Sequence, residues 1–152
     1  MISVRVYGIL INEQNQILVS DELIKDFKIT KFCGGGLEQG EGTIDCLKRE
    51  FIEEMNLKIE VLEHFYTTDF YQPSAFKDGN QVLSIYYTVK ALEEIKVIIK
   101  QTPFDFDKTI NKAIPEEDYA QCFRFIDFVN FNEDCMTLPI DKVVVRLIKS
   151  KT

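Results

Sequence analysis

Between Cys33 and Leu57 the chain reads C-G-G-G-L-E-Q-G-E-G-T-I-D-C-L-K-R-E-F-I-E-E-M-N-L, and its acids fall at spacings that could hold a metal ion. On a helix, at about 100° per residue, Glu54 lies about 40° to one side of Glu50 and Glu53 about 60° to the other. The three carboxylates share a strip beside an apolar stripe of Ile44, Leu47, Phe51 and Met55. Like charges at i+3 and i+4 oppose helix formation by about 0.2–0.5 kcal/mol per pair. Arg49 reaches Glu53 at i+4, and one cation cannot neutralise three acids. A plain solvated face is the ordinary explanation of such a strip. Against it stands the run Gly34-Gly35-Gly36, read as a loop packed against the helix start. Such a run can offer backbone carbonyls and N–H groups to a ligand without side-chain obstruction. Carboxylates, a carbonyl and open water positions are the ligand set of a hard cation, Mg²⁺ or Mn²⁺.

These residues need elements to position them. Periodicity predicts a helix over Thr43–Asn56. Runs rich in β-branched and apolar residues predict strands at Ile2–Ile11, Gln16–Ser20, Lys58–Tyr66, Val82–Leu92 and Gln121–Phe128. Asn12–Asn15 and Asp78-Gly79-Asn80 read as turns, Asp21–Phe32 as a mixed connection, and Thr102–Ala120 as a long surface loop. Glu93–Lys100 fits neither class. Leu138–Ser150 is a basic-ended helix with Pro139 in its first turn. Strands on both sides of a central helix predict an α+β chain, a mixed sheet covered by helices, in a single domain over residues 1–152.

Composition narrows the chemistry. With 25 acidic and 18 basic residues the net charge is −7, a field that repels a nucleic-acid backbone. No apolar run approaches the roughly 18 residues of a membrane span, and the N-terminus reads as no signal peptide, so the expected location is cytoplasmic. Cys33, Cys46, Cys122 and Cys135 form no C-x-x-C, and His64 is the single histidine, which argues against a zinc site and against histidine-based triads. Four buried or free thiols are expected, and His64, in a predicted strand, is expected to be structural.

The Cys33–Leu57 segment resembles the signature box of the Nudix hydrolases, G-x5-E-x7-R-E-U-x-E-E-x-G-U, where U is a bulky apolar residue. The matching residues are Gly35, Glu41, Arg49-Glu50-Phe51, Glu53-Glu54 and Leu57, with Asn56 in place of the last glycine. Asparagine is the next-best residue for a left-handed helix end, so Asn56 is expected to cap. Cys33 stands where family members commonly have proline.

The resemblance implies a Nudix-type α/β/α sandwich with a mixed β-sheet. It also implies Mg²⁺- or Mn²⁺-dependent hydrolysis of a nucleoside diphosphate linked to another moiety. Under it Glu50 and Glu54 are the principal metal ligands, with Glu53 and the Gly34 carbonyl completing the set. Arg49 orients carboxylates through its planar fork, and Glu41 is its partner. The general base is Glu50 or Glu53, or a loop acid among Glu116, Glu117 and Asp118, of which Glu117 is preferred. Pro73 stands sixteen residues beyond the box (57 + 16 = 73), as in some members acting on ADP-ribose. Phe70, Tyr71 and Phe76 could stack a base or form a core or dimer contact. ADP-ribose or another nucleotide sugar leads, with nucleoside triphosphates, or a non-catalytic nucleotide sensor, as alternatives. A small-molecule nucleotide is the expected partner, without nucleic acid or membrane, and a homodimer stays open.

Overall fold

Residues 1–106 and 119–151 are described by the computed structural model. In chain order the strands and α-helices are β1 (Ile2–Leu10), β2 (Gln16–Ile24), β3 (Phe27–Lys31), β4 (Cys33–Gly36), α1 (Thr43–Met55), β5 (Ile59–Thr67), β6 (Gln81–Ala91), β7 (Ile99–Lys100), β8 (Tyr119–Asp127) and α2 (Pro139–Ser150). Two compact units result, one from Met1–Ile11 with Cys33–Lys96, the other from Asn12–Phe32 with Val97–Thr152. The α+β class is as expected. The strands form two four-stranded sheets, each mixed.

In the first unit the strand order is β4-β1-β6-β5. β1 runs parallel to β6 and antiparallel to β4, so the glycine run is an edge strand rather than a loop. Helix α1 covers this sheet through Leu47, Phe51 and Met55, all essentially solvent-free. Phe51 lies over Gly8: a β-carbon there would stand 2.9 Å from its ring. Ile44, expected in the apolar stripe, is 44% exposed, and Cys46 is buried instead. Both lie in the first turn, where Cys46 Sγ turns to the Gly36 carbonyl of β4 and Thr43 Oγ1 bonds the Tyr87 hydroxyl of β6, leaving Ile44 to solvent.

α1 ends at Asn56 with φ 49° and ψ 42°, the left-handed cap expected of it. Asn56 N donates to Ile52 O at 2.9 Å, and Leu57 N donates to Phe51 O at 3.3 Å, a six-residue closure that satisfies the last carbonyls. Leu57 is then buried beneath the turn.

In the second unit the order is β3-β2-β8-β7, with β2 antiparallel to both neighbours. Here the expected mixed connection over Asp21–Phe32 gives way to a hairpin. β2 continues to Ile24, Lys25 turns at φ 55°, and β3 returns. Asp21 and Glu22 hid the strand because carboxylates rarely enter a core. Each is compensated: Arg124 Nε meets Asp21 at 2.6 Å, and Lys31 Nζ meets Glu22 at 3.1 Å. Pro139 opens α2 at its first turn, as expected.

The cysteines are all free, three buried and Cys135 half-buried. His64 Nε2 bonds the Thr67 hydroxyl at 2.7 Å and its ring packs edge-on to Tyr87, a structural role within β5. Among the described residues no helix is long and apolar enough to cross a membrane.

Candidate active site

The site begins with what two glycines allow. Gly34, at φ +148°, pairs with Tyr7, and a β-carbon there would stand 2.1 Å from the Val6 carbonyl oxygen and 2.8 Å from Tyr7 Cα. Only glycine fits that approach of two backbones. Gly35 differs: a β-carbon there would fall 2.5–2.6 Å from the Glu50 carboxylate. The missing side chain is therefore the cradle in which α1 lays a carboxylate against the edge strand.

Arg49 organises the surrounding acids. Its Nε and Nη2 fork onto Glu41 Oε2 and Oε1 at 3.0 and 2.7 Å. Nη1 donates to Glu50 Oε1 and to Glu53 Oε2, each at 3.0 Å, and lies 3.7 Å from Glu38 Oε1. Nη2 also donates to the Gly36 carbonyl at 3.1 Å, which ties α1 to β4. Cys46 Sγ donates to that same carbonyl at 3.5 Å. One guanidinium thus gathers four carboxylates, and Glu54 follows Glu53 on the helix with its side chain half-buried.

The charges are felt in the protonation equilibria. Hydrogen bonds from Arg49, and then from the Glu38 backbone, hold Glu41 at about 2. Burial, reinforced by the neighbouring Glu41, pushes the Cys46 thiol up to about 12. The same bond to Glu41 keeps the Arg49 guanidinium charged still more firmly than usual. Arg49 and Glu41 form a fixed ionic post beside the cradle.

Several expected residues come together here. Glu50 and Glu53 both turn to Arg49, and the Glu50 carboxylate adjoins Gly35. Glu53 remains 58% exposed. Among the described residues no three His, Cys, Asp or Glu side chains converge on one point that could hold a metal. The donors nonetheless suit a hard cation in kind: carboxylate oxygens in excess over one guanidinium, and a glycine cradle pressing one of them against backbone.

Glu116, Glu117 and Asp118 lie outside the described residues. Pro73 forms a single bridge with Gln81, in the loop that carries the partly exposed Phe70, Tyr71 and Phe76. Sequence reasoning missed Glu38 and Cys46. Cys46 precedes Arg49 by three residues, the spacing of helical neighbours, and that signal could have found it.

Comparison with known proteins gives a coherent picture. The profile of the NUDIX domain matches residues 1–126. No curated protein matches in sequence. Among solved structures, a NUDIX hydrolase from Nitrosomonas europaea superposes with a TM-score of 0.69 at 13% identity, covering 99% of this chain and 90% of its own. A MutT NUDIX hydrolase from Burkholderia pseudomallei gives 0.69 at 12% identity, covering 97% and 98%. An ADP-ribose pyrophosphatase from Streptococcus suis gives 0.57 at 13% identity, covering 99% and 92%. At these identities the likeness is one of fold.

Proposed function

The chain belongs to the Nudix hydrolase family, and from that premise we propose that it is a Mg²⁺- or Mn²⁺-dependent pyrophosphohydrolase, within a single domain over residues 1–152, acting on a nucleoside diphosphate linked to another moiety. ADP-ribose or another nucleotide sugar is the proposed substrate class. The observation that carries this reading is the grouping around Arg49: Glu38, Glu41, Glu50 and Glu53 held by one guanidinium, beside a glycine strand stripped of side chains. Free thiols agree with a cytoplasmic setting.

In this reading Glu50 and Glu54 would hold the cation, with Glu53 and the Gly34 carbonyl as further donors. When bound, it neutralises the pyrophosphate and lowers the pKa of a water poised for in-line attack. The chain's own residues do the rest. Gly34 lets β4 close onto the backbone of β1, and Gly35 lets the Glu50 carboxylate lie against strand backbone that any side chain would block. Arg49, fixed by Glu41, holds the Glu50 and Glu53 carboxylates in register. Glu53, half in solvent and hydrogen-bonded by Arg49, takes the proton of the attacking water, with Glu117 the alternative base. Water adds to one phosphorus, the bridging P–O bond breaks, and two phosphomonoesters leave.

The test is a panel of ADP-ribose, other nucleotide sugars and nucleoside triphosphates, with Mg²⁺ or Mn²⁺, scored for mononucleotide, phosphate and pyrophosphate release. Mononucleotide release from nucleotide sugars supports the reading. Turnover of triphosphates alone replaces the substrate class, and no turnover at all leaves a nucleotide-sensing domain.

A further inference from the structure

A guanidinium has five N–H donors, and those of Arg49 are all committed. Nε and one Nη2 proton go to Glu41 at 3.0 and 2.7 Å, and the second Nη2 proton goes to the Gly36 carbonyl at 3.1 Å. The two Nη1 protons go to Glu50 and Glu53, each at 3.0 Å. These last two carboxylates are also assigned to the cation or the attacking water in the proposed function. Glu38 stands beside the same nitrogen without a proton of its own. Its Oε1 lies 3.7 Å from Nη1, an ion pair too long for a hydrogen bond.

The two Nη1 partners differ in freedom. Glu50 is shielded, with its carboxylate in the cradle at Gly35, whereas the Glu53 side chain is mostly in solvent. Glu53 is therefore the one that can swing. If it turns to a cation, one Nη1 proton loses its acceptor beside a new positive charge, which is costly on both counts. Glu38 is placed to accept that proton. Its backbone is fixed: Glu38 N donates to Glu41 Oε1 at 2.9 Å, and Leu37 N donates to Val4 O at 2.9 Å. Its side chain is 68% exposed, and closing from 3.7 to 3.0 Å takes a shift of 0.7 Å.

We propose that Glu38 is a positioning residue that takes over the Arg49 Nη1 proton when Glu53 gives it up. Glu53 is thereby freed to serve as ligand or base, while Arg49 keeps its hold on Glu50 and Glu41. The proposal rests on the pyrophosphohydrolase reading above, whose cation is what draws Glu53 away. Without a cation the two Nη1 protons are already taken, so removing Glu38 should leave the resting fold as it is. A carboxylate that only adds negative field would attract a cation whether or not Glu53 moves. That difference decides the test.

The experiment is a double-mutant cycle read by metal binding rather than turnover. Mn²⁺ is titrated into the whole protein and the free ion is followed by paramagnetic resonance, for wild type, Glu38→Ala, Glu53→Gln and the double variant. Melts in EDTA check the resting fold. Glu38→Ala should melt with the wild type and bind Mn²⁺ about two- to fivefold more weakly, the scale of one exposed ion pair. In Glu53→Gln the neutral amide stays with Arg49, so adding Glu38→Ala should weaken binding no further. Equal weakening in both backgrounds overturns the proposal, since a field acting at a distance would give it. A large fall in Tm for Glu38→Ala in EDTA also overturns it, in favour of a structural role. Unchanged Mn²⁺ affinity in Glu38→Ala overturns it too, and leaves the enzymatic reading standing. A wild type that takes up no Mn²⁺ overturns both.

Discussion

The Glu50 carboxylate occupies the volume that a side chain on Gly35 would need, with its atoms 2.5–2.6 Å from that β-carbon position. The neighbouring Gly34 faces backbone, 2.1 Å from the Val6 carbonyl oxygen. Adjacent glycines thus have different reasons to be glycine, and their alanine variants should separate. Gly35→Ala meets the end of a flexible side chain, so stability should change by no more than about 1 kcal/mol. Activity should fall by about 10²-fold, because the displaced carboxylate is the one proposed to hold the cation. Gly34→Ala, at φ +148° and against a carbonyl, should cost about 2–5 kcal/mol. Denaturant melts and kcat for both variants check this, and equal loss of stability in the two would contradict it.

The Arg49–Glu41 fork should appear in the pH dependence of stability. Glu41 is lowered from its ordinary 4.5 to about 2 by the hydrogen bonds it accepts from Arg49. A depressed carboxylate stabilises the folded state fully above its unfolded value and loses that contribution as pH falls through its folded value. The wild type should therefore exceed Glu41→Gln in stability by a constant margin above about pH 4.5. The margin should shrink toward zero between about 4.5 and about 2. At neutral pH the variant should also lose about 10–100-fold in kcat, as orienting partners of ligands commonly do. Urea melts from pH 2 to 7 provide the measurement, and a margin independent of pH would show that the fork is not the cause.

Cys46 should be the least reactive thiol of the site. Burial, with Glu41 alongside, holds it protonated up to about pH 12, and the thiolate is the reactive form. Cys135 is half-buried and has no such cover. Brief alkylation at pH 8 followed by peptide mapping should label Cys135 first, with Cys46 modified only once the chain unfolds. Labelling of both at one rate would mean that α1 opens from β4 far more readily than the bonds to Gly36 suggest.

What the sequence disclosed followed from local physics. Helix α1, its acidic strip and the Asn56 cap were legible because periodicity and left-handed tolerance are properties of neighbouring residues. Arg49 pairing with Glu41 came from the family resemblance, since eight residues and a turn separate them. The hairpin of β2 and β3 was not legible: Asp21 and Glu22 look like surface residues until Arg124 and Lys31 are seen beside them, and Arg124 is 103 residues away. The glycine run read as a loop because its partner, β1, is separated from it in the chain by Asn12–Phe32, and pairing rather than composition makes it a strand. Ile44 and Cys46 exchanged roles because a helical wheel assumes one covered side along its length, whereas in the first turn of α1 it is Cys46 that turns to the Gly36 carbonyl of β4 while Ile44 faces solvent.

Metal binding should separate a working site from a solvated acidic face. In the structure Arg49 bonds both Glu50 and Glu53 and also pairs with Glu38 and Glu41, so one guanidinium faces four carboxylates. A divalent ion bound only by the folded chain adds RT ln(1 + [L]/Kd), about 2.7 kcal/mol at a hundredfold excess over Kd. For a chain of this length that corresponds to a rise in Tm of about 5–10 °C. Sodium chloride at matched ionic strength should reproduce only screening, which acts on the exposed Glu53 more than on Glu50. Thermal melts in EDTA, Mg²⁺, Mn²⁺ and matched NaCl make the comparison, repeated on Glu50→Gln and Glu54→Gln. Both variants should melt at nearly the same temperature in Mg²⁺ and in NaCl, whereas the wild type should gain its increment only from the divalent ions. If the wild type melts identically in Mg²⁺, Mn²⁺ and NaCl, with and without added nucleotide, the carboxylates around Arg49 are a solvated face and the proposed cation site is wrong.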